Sequence, residues 1–169
     1  MRFVLVDQIE RFDVGRRAEG YKCIAHDEDY FADHFPGYPL VPGVLIVESL
    51  AQLGGRLVEA SVRAASGRRV LPILARIENA KFIRPVRPGD RLDLEVDLIA
   101  LGDDIARVAG LARVGGSKVA TATVMYAMLD TTAATAQLTR DQVAALERWS
   151  TRRWTELGPS DKGSTDGGR

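Results

Sequence analysis

From Gly43 to about Ala65 the sequence keeps a helical period for ~20 residues, and its first three turns have almost no polar face. Val44, Leu45, Ile46, Val47, Leu50, Ala51, Leu53, Leu57 and Val58 point in nearly every direction around the axis. A helix apolar nearly all round is one surrounded by protein. The longest near-apolar run, Val41 to Val47, is far short of the ~18 residues that span a bilayer. The segment is therefore a buried core helix, and the rest of the chain must wrap it. Pro42 stands where proline is welcome, at a helix start, and Ser66-Gly67-Arg68-Arg69 ends the run.

The remainder reads mostly as strands. Phe3 to Phe12 and Arg17 to Ala25 precede the helix; in the second, Tyr21, Cys23 and Ala25 share one face, which places Cys23 in the core. A loop rich in Asp, Pro and Gly runs from His26 to Pro42. After the helix, Val70 to Val86 is mixed in pattern. Leu92, Leu94, Val96 and Leu98 alternate with charged residues as a half-buried strand does. Gly102-Asp103-Asp104 and Gly115-Gly116-Ser117 punctuate two further β runs, Ile105 to Val114 and Lys118 to Met128. The pattern predicts an α+β fold in which an antiparallel meander of strands wraps one central helix. Residues 1–130 form its single domain. Residues 131–157 form an extension in which Thr139-Arg140-Asp141-Gln142 caps a helix bearing Val143, Leu146 and Trp149 on one face. Residues 158–169, rich in Gly, Ser and Asp, read as a disordered tail.

Charge limits the partners. Lys+Arg number 23 and Asp+Glu 23, a balance that argues against nucleic acid or an anionic membrane as the main partner, since both ask for a basic face. Arg148, Arg152 and Arg153 form one local basic cluster, which reads first as a solvated face and second as a greeting for an acidic partner. Cys23 is the single cysteine, so no intrachain disulfide forms. Phe3-Val4-Leu5-Val6 is too short for a signal-peptide core, and the reading is cytoplasmic.

Chemistry concentrates around the helix start. His34 opens the loop His34-Phe35-Pro36-Gly37-Tyr38-Pro39-Leu40-Val41-Pro42-Gly43, and Glu48 lies within the most apolar stretch, with Gln52 one turn on. One reading makes His34 a locally bonded loop residue and Glu48 part of a solvated stripe with Gln52, Arg56 and Glu59. The other is chemical. Burial among Leu45, Ile46, Val47, Leu50 and Ala51 raises a carboxyl pKa above its ordinary ~4.3, which suits a general acid, while an imidazole is the natural base. Gly43 offers a bare N–H at a helix N-terminus, suited to an oxygen gaining negative charge.

The run His34 to Gln52, HFPGYPLVPGVLIVESLAQ, closely resembles the signature of FabZ-type (3R)-3-hydroxyacyl-acyl-carrier-protein dehydratases. Asn79 to Asp90, NAKFIRPVRPGD, is similar to that family's second hallmark, and Phe3-Val4-Leu5-Val6-Asp7 looks like its opening strand. The resemblance covers residues 1 to 128, and the His34–Glu48 spacing fits. It implies a hotdog fold and a homodimer, often assembled as a trimer of dimers, with His and Glu paired across the interface. It implies that His34 takes the C2 proton and Glu48 protonates the departing 3-hydroxyl. Gly43 N–H would polarise the thioester carbonyl, the Leu40 carbonyl would orient the imidazole, Gln52 would hold Glu48 or the released water, and Phe82 would line an acyl tunnel. No metal or organic cofactor is implied; acyl carrier protein is the implied partner.

Glu48, where related dehydratase/isomerases carry Asp, favours dehydration without isomerisation. Asp33 replaces the family's usual Gly before the histidine, Leu40-Val41 replaces Val-Met, and the segment from Thr131 exceeds family length. These departures point to a specialised paralogue serving a polyene, polyketide or other dedicated acyl pathway. The rival readings are a hotdog thioesterase or enoyl-CoA hydratase, and a non-catalytic partner that binds acyl carrier protein.

Overall fold

The computed structural model describes residues 3–131, 140–142 and 144. Among the described residues six antiparallel strands form one sheet: β1 (Gln8–Asp13), β2 (Arg17–Cys23), β3 (Val70–Phe82), β4 (Arg91–Leu101), β5 (Ile105–Val114) and β6 (Ser117–Asp130). Their order across the sheet is β1-β2-β4-β5-β6-β3. The long helix α1 (Gly43–Ser66) lies against its inner face. Twenty-four residues make it ~36 Å long, enough to cross the whole sheet.

Alternation in β4 explains the contact. Leu92, Leu94 and Val96 are buried while their neighbours are not, and they meet Leu50, Leu53, Leu57 and Val58 of α1 in one core with Val108, Val119 and Val124. Gly110 in β5 keeps the two layers close, because a Cβ there would stand 3.0 Å from Leu50 Cδ1. The helix is buried on most sides; the stripe Glu48, Gln52, Arg56 and Glu59 stays half-buried. Gly67, left-handed at φ 71°, ends α1 and donates its N–H to the Arg63 carbonyl at 2.9 Å. The end of α1 is tied to the end of β6. Arg68 donates to the Asp103 carbonyl and faces the Asp130 carboxylate at 3.7 Å, and Thr131 N–H donates to the Arg69 carbonyl at 3.0 Å.

The helix-wrapping sheet stands as read from the sequence, with three corrections. The meander comprises β4, β5 and β6, whereas β3 crosses to the far side and pairs with β6, Val70 opposite Asp130. The first strand begins at Gln8 rather than Phe3. Cys23 ends β2 exposed, because Ala18 and Gly20 are the buried residues of that strand. β3 is an edge strand, interrupted at Leu74/Arg76 and Glu78/Lys81, and it leaves Ile73 and Ile77 exposed. Among the described residues, no helix is long and apolar enough to cross a membrane. The sequence readings for the C-terminal cap, its apolar face, the Arg148–Arg153 cluster and the tail fall largely or wholly outside the described residues.

Candidate active site

The segment before α1 holds His34 by backbone closure. A 3-10 turn at Asp29–Ala32 buries Phe31, and His34 N–H donates to the Tyr30 carbonyl at 2.9 Å. Leu40 N–H returns to the His34 carbonyl at 2.9 Å, and Val41 N–H pins the end of the loop to Val86. The His34 Nδ1 lies 2.9 Å from the Leu40 carbonyl oxygen. A carbonyl only accepts, so Nδ1 carries a proton, and in the neutral ring Nε2 is the nitrogen with the lone pair. Phe35 stacks on the imidazole at 4.2 Å between ring centroids and steadies its plane. Asp33 is exposed, in line with a side chain turned to solvent.

Glu48 is held from its own helix. Gln52 Nε2 donates to Glu48 Oε1 at 3.0 Å, as the one-turn spacing allows. The other end of the same amide is occupied, since Gln52 Oε1 accepts from Leu5 N–H at 2.9 Å. The N-terminal segment therefore braces the carboxylate through Gln52. Beyond Glu48 a cavity of about 180 Å³ opens between α1, β3 and β6, walled by Gly55, Leu71, Pro72, Leu74 and Tyr126. Arg56 and Glu59 pair at 2.8 Å along it; burial lowers the Arg56 pKa and the Glu59 carboxylate opposes that.

Gly43 starts α1, and among the described residues its amide has no partner. Phe82, 55% exposed, lies over it instead of entering the core: a Cβ on Gly43 would stand 2.7 Å from Phe82 Cε1. Glycine at position 43 thus lets the ring close over the helix start.

Two clusters result within one chain. His34 with Leu40 forms one, and Glu48 with Gln52 the other. Among the described residues no hydrogen bond or ion pair joins His34 to Glu48, and His34 does not line the Glu48 cavity. Sequence reasoning missed two participants. Leu5 acts through a backbone amide, which no side-chain pattern reports. Tyr126 reaches the helix beside Glu48, and the Gly54-Gly55 pair inside an apolar helix was the signal for it. Among the described residues no group of three or more His, Cys, Asp and Glu side chains is placed to hold a metal ion.

Residues 1–123 match the family described as FabA-like domain. The 3-hydroxyacyl-[acyl-carrier-protein] dehydratase FabZ of Bacillus velezensis is 44% identical over 126 residues, covering 75% of this chain and 87% of that protein. The protein of the same name from Bacillus subtilis is 42% identical over 126 residues, with the same coverage of 75% and 87%. Among solved structures, the dehydratase heterocomplex ApeI:P from Xenorhabdus doucetiae is similar with a TM-score of 0.60 at 15% identity, over 86% of this chain and 90% of that one. Thioesterase HI1161 from Haemophilus influenzae is similar with a TM-score of 0.55 at 18% identity, over 72% and 77%. At such identities the likeness is one of fold, and the fold is the hotdog.

Proposed function

The chain belongs to the FabA-like family, and on that premise we infer that it is a hydro-lyase that converts (3R)-3-hydroxyacyl-[acyl-carrier-protein] to the trans-2-enoyl product in fatty-acid biosynthesis. The observation that carries this reading is the 44% identity to a dehydratase of that name over 126 residues. Thioester hydrolysis has less behind it, because the thioesterase resembles this chain at 18% identity, in fold only.

The reaction abstracts a proton beside a carbonyl and expels hydroxide as water, so it needs a base, an oxyanion donor and an acid. His34 Nε2 takes the C2 proton, its other nitrogen held by Leu40. The electron pair moves into the thioester, whose oxygen gains charge and is met by the Gly43 N–H at the positive end of α1. As the pair returns to form the C2–C3 double bond, the C3–O bond breaks and Glu48 gives its proton to the leaving oxygen. Gln52 orients Glu48 toward that oxygen. Solvent then returns the His34 proton to Glu48, which completes the cycle without a cofactor.

The working unit is a homodimer in which His34 of one subunit faces Glu48 of the other. Supporting this are the separation of the two clusters within one chain and the edge strand β3 with exposed Ile73 and Ile77, which pairs with β6 on one side and whose outer side, among the described residues, is left to pair with a second copy. Arg87, whose guanidinium donates to Tyr38 Oη at 2.7 Å, places a cation by the His34 loop, where an acidic carrier would meet it.

The test is a panel of 3-hydroxyacyl thioesters of graded chain length, on acyl carrier protein and on CoA, followed by mass spectrometry. Loss of one water with the thioester intact supports the reading. Release of free thiol, or no turnover in either direction, overturns it.

A further inference from the structure

Tyr126 comes from β6, far from α1 in sequence, yet its hydroxyl reaches the backbone of the helix that carries Glu48. The phenol donates to the Ala51 carbonyl at 2.7 Å. Ala51 and Gly55 are the two ends of one i to i+4 step of the helix, so this carbonyl takes a side-chain donor on its second lone pair beside its place in the helical ladder.

The surrounding sequence is fitted to it. A Cβ on Gly54 would stand 2.6 Å from the phenol oxygen, so any larger residue there would expel the hydroxyl. A Cβ on Gly55 would lie 3.7 Å from the ring edge and enter the cavity that Tyr126 walls. The residues between the two ends of the step are Gln52, Leu53 and Gly54. Gln52 is the amide that holds Glu48 at 3.0 Å. The geometry of that turn therefore passes directly to the carboxylate.

We infer that Tyr126 is a positioning residue for the dehydration: by bonding the Ala51 carbonyl and filling the space over Gly54, its hydroxyl holds the turn that carries Gln52 and thereby aims Glu48. The inference rests on the dehydratase reading for its activity arm. Its structural arm is independent, because the bond to Ala51 makes a claim about Gln52 whatever the substrate is.

The experiment compares the full-length protein with Tyr126→Phe, which keeps the ring and removes only the oxygen, and with Gly54→Ala, which crowds the oxygen out. Turnover of the 3-hydroxyacyl thioester is measured as kcat and KM separately, with thermal midpoints alongside. The NMR resonances of the Gln52 side-chain amide and the exchange rate of the Gly55 amide are followed in the same samples. Because an ångström of misplacement can cost up to ~100-fold, Tyr126→Phe is expected to lower kcat by about tenfold with KM within about twofold. The Gln52 amide resonance should move in both variants, and Gly55 exchange should change. Wild-type kcat in Tyr126→Phe overturns the inference. So does a loss of kcat matched by an unaltered Gln52 amide, which marks a merely structural residue. If the wild-type protein itself does not turn over hydroxyacyl thioesters, the dehydratase reading falls and the Gln52 and Gly55 signals alone decide the inference. If Tyr126→Phe does not fold, Gly54→Ala supplies the same readings.

Discussion

Gly43 and Phe82 are in direct contact, so that a methyl group at position 43 would stand 2.7 to 3.0 Å from three atoms of the Phe82 ring. Gly43→Ala therefore displaces the ring from the first-turn amide. Alanine is a better helix former than glycine by ~1 kcal/mol, so stability should hold or rise slightly. Turnover should fall by about tenfold, since the amide proposed to meet the oxyanion is no longer framed as before. Gly43→Ala combined with Phe82→Leu should recover part of the loss. Steady-state rates and thermal midpoints check both, and an unchanged rate in Gly43→Ala counts against the amide's role.

His34→Ala and Glu48→Gln should each abolish turnover, by at least ~100-fold, with little change in stability, since both side chains are only part-buried. Mixing the two inactive proteins and allowing subunit exchange should restore activity, to about a quarter of wild type for random pairing of shared sites. Absence of rescue, with exchange demonstrated by mass spectrometry of labelled subunits, places both residues of each site on one chain.

Gln52 serves two directions at once, and its variants separate them. Gln52→Ala removes the donor to Glu48 and the acceptor for Leu5, and should cost ~1 kcal/mol of stability per lost bond together with activity. Gln52→Glu keeps an acceptor for Leu5 N–H but sets a carboxylate against Glu48, so activity should fall further while the Leu5 contact survives. Chemical denaturation and the exchange rate of the Leu5 amide distinguish the two effects.

Stability should fall at high pH. Burial, aided by the Glu48 charge and opposed by the Gly55 N–H, pushes the Tyr126 phenol well above its ordinary 10.0, and burial with Glu28 raises Tyr30 to about 12. Both are acids that the folded state keeps protonated. Above pH 10 the unfolded chain loses protons that the native chain still holds, so unfolding becomes easier as pH rises and nothing is lost below that point. Tyr126, buried throughout, should contribute a slope approaching ~1.4 kcal/mol per pH unit; half-exposed Tyr30 adds less. Denaturation curves across this range, with Tyr126→Phe shallower than wild type, check the prediction.

The helix was legible because Pro42, the apolar residues and Gly67 all lie in one continuous stretch. The same holds for β4, β5 and β6, whose tight turns dictate their neighbours. What could not be read was pairing between distant segments: β3 against β6, or β2 against β4, is decided by which apolar faces must cover α1, not by any local signal. Cys23 illustrates the cost of a period-two reading with no anchor, since a shift of one residue moves the whole face. The candidate site was legible where side chains and spacing carry it, as with His34, Glu48 and Gln52. It was not legible where a backbone amide of Leu5 or a phenol from β6 completes it.

Arg68, Asp103, Asp130 and Thr131 fasten the point where the chain departs from the sheet. That point lies at the far end of α1 from Gly43, ~36 Å away along the helix axis. A tether, tag or fused module joined after Thr131 would thus begin on a clamped anchor and pull on the sheet rather than on the end of α1 that carries the proposed site. The fold is in this respect a ready cartridge, immobilised from behind with its candidate site left clear.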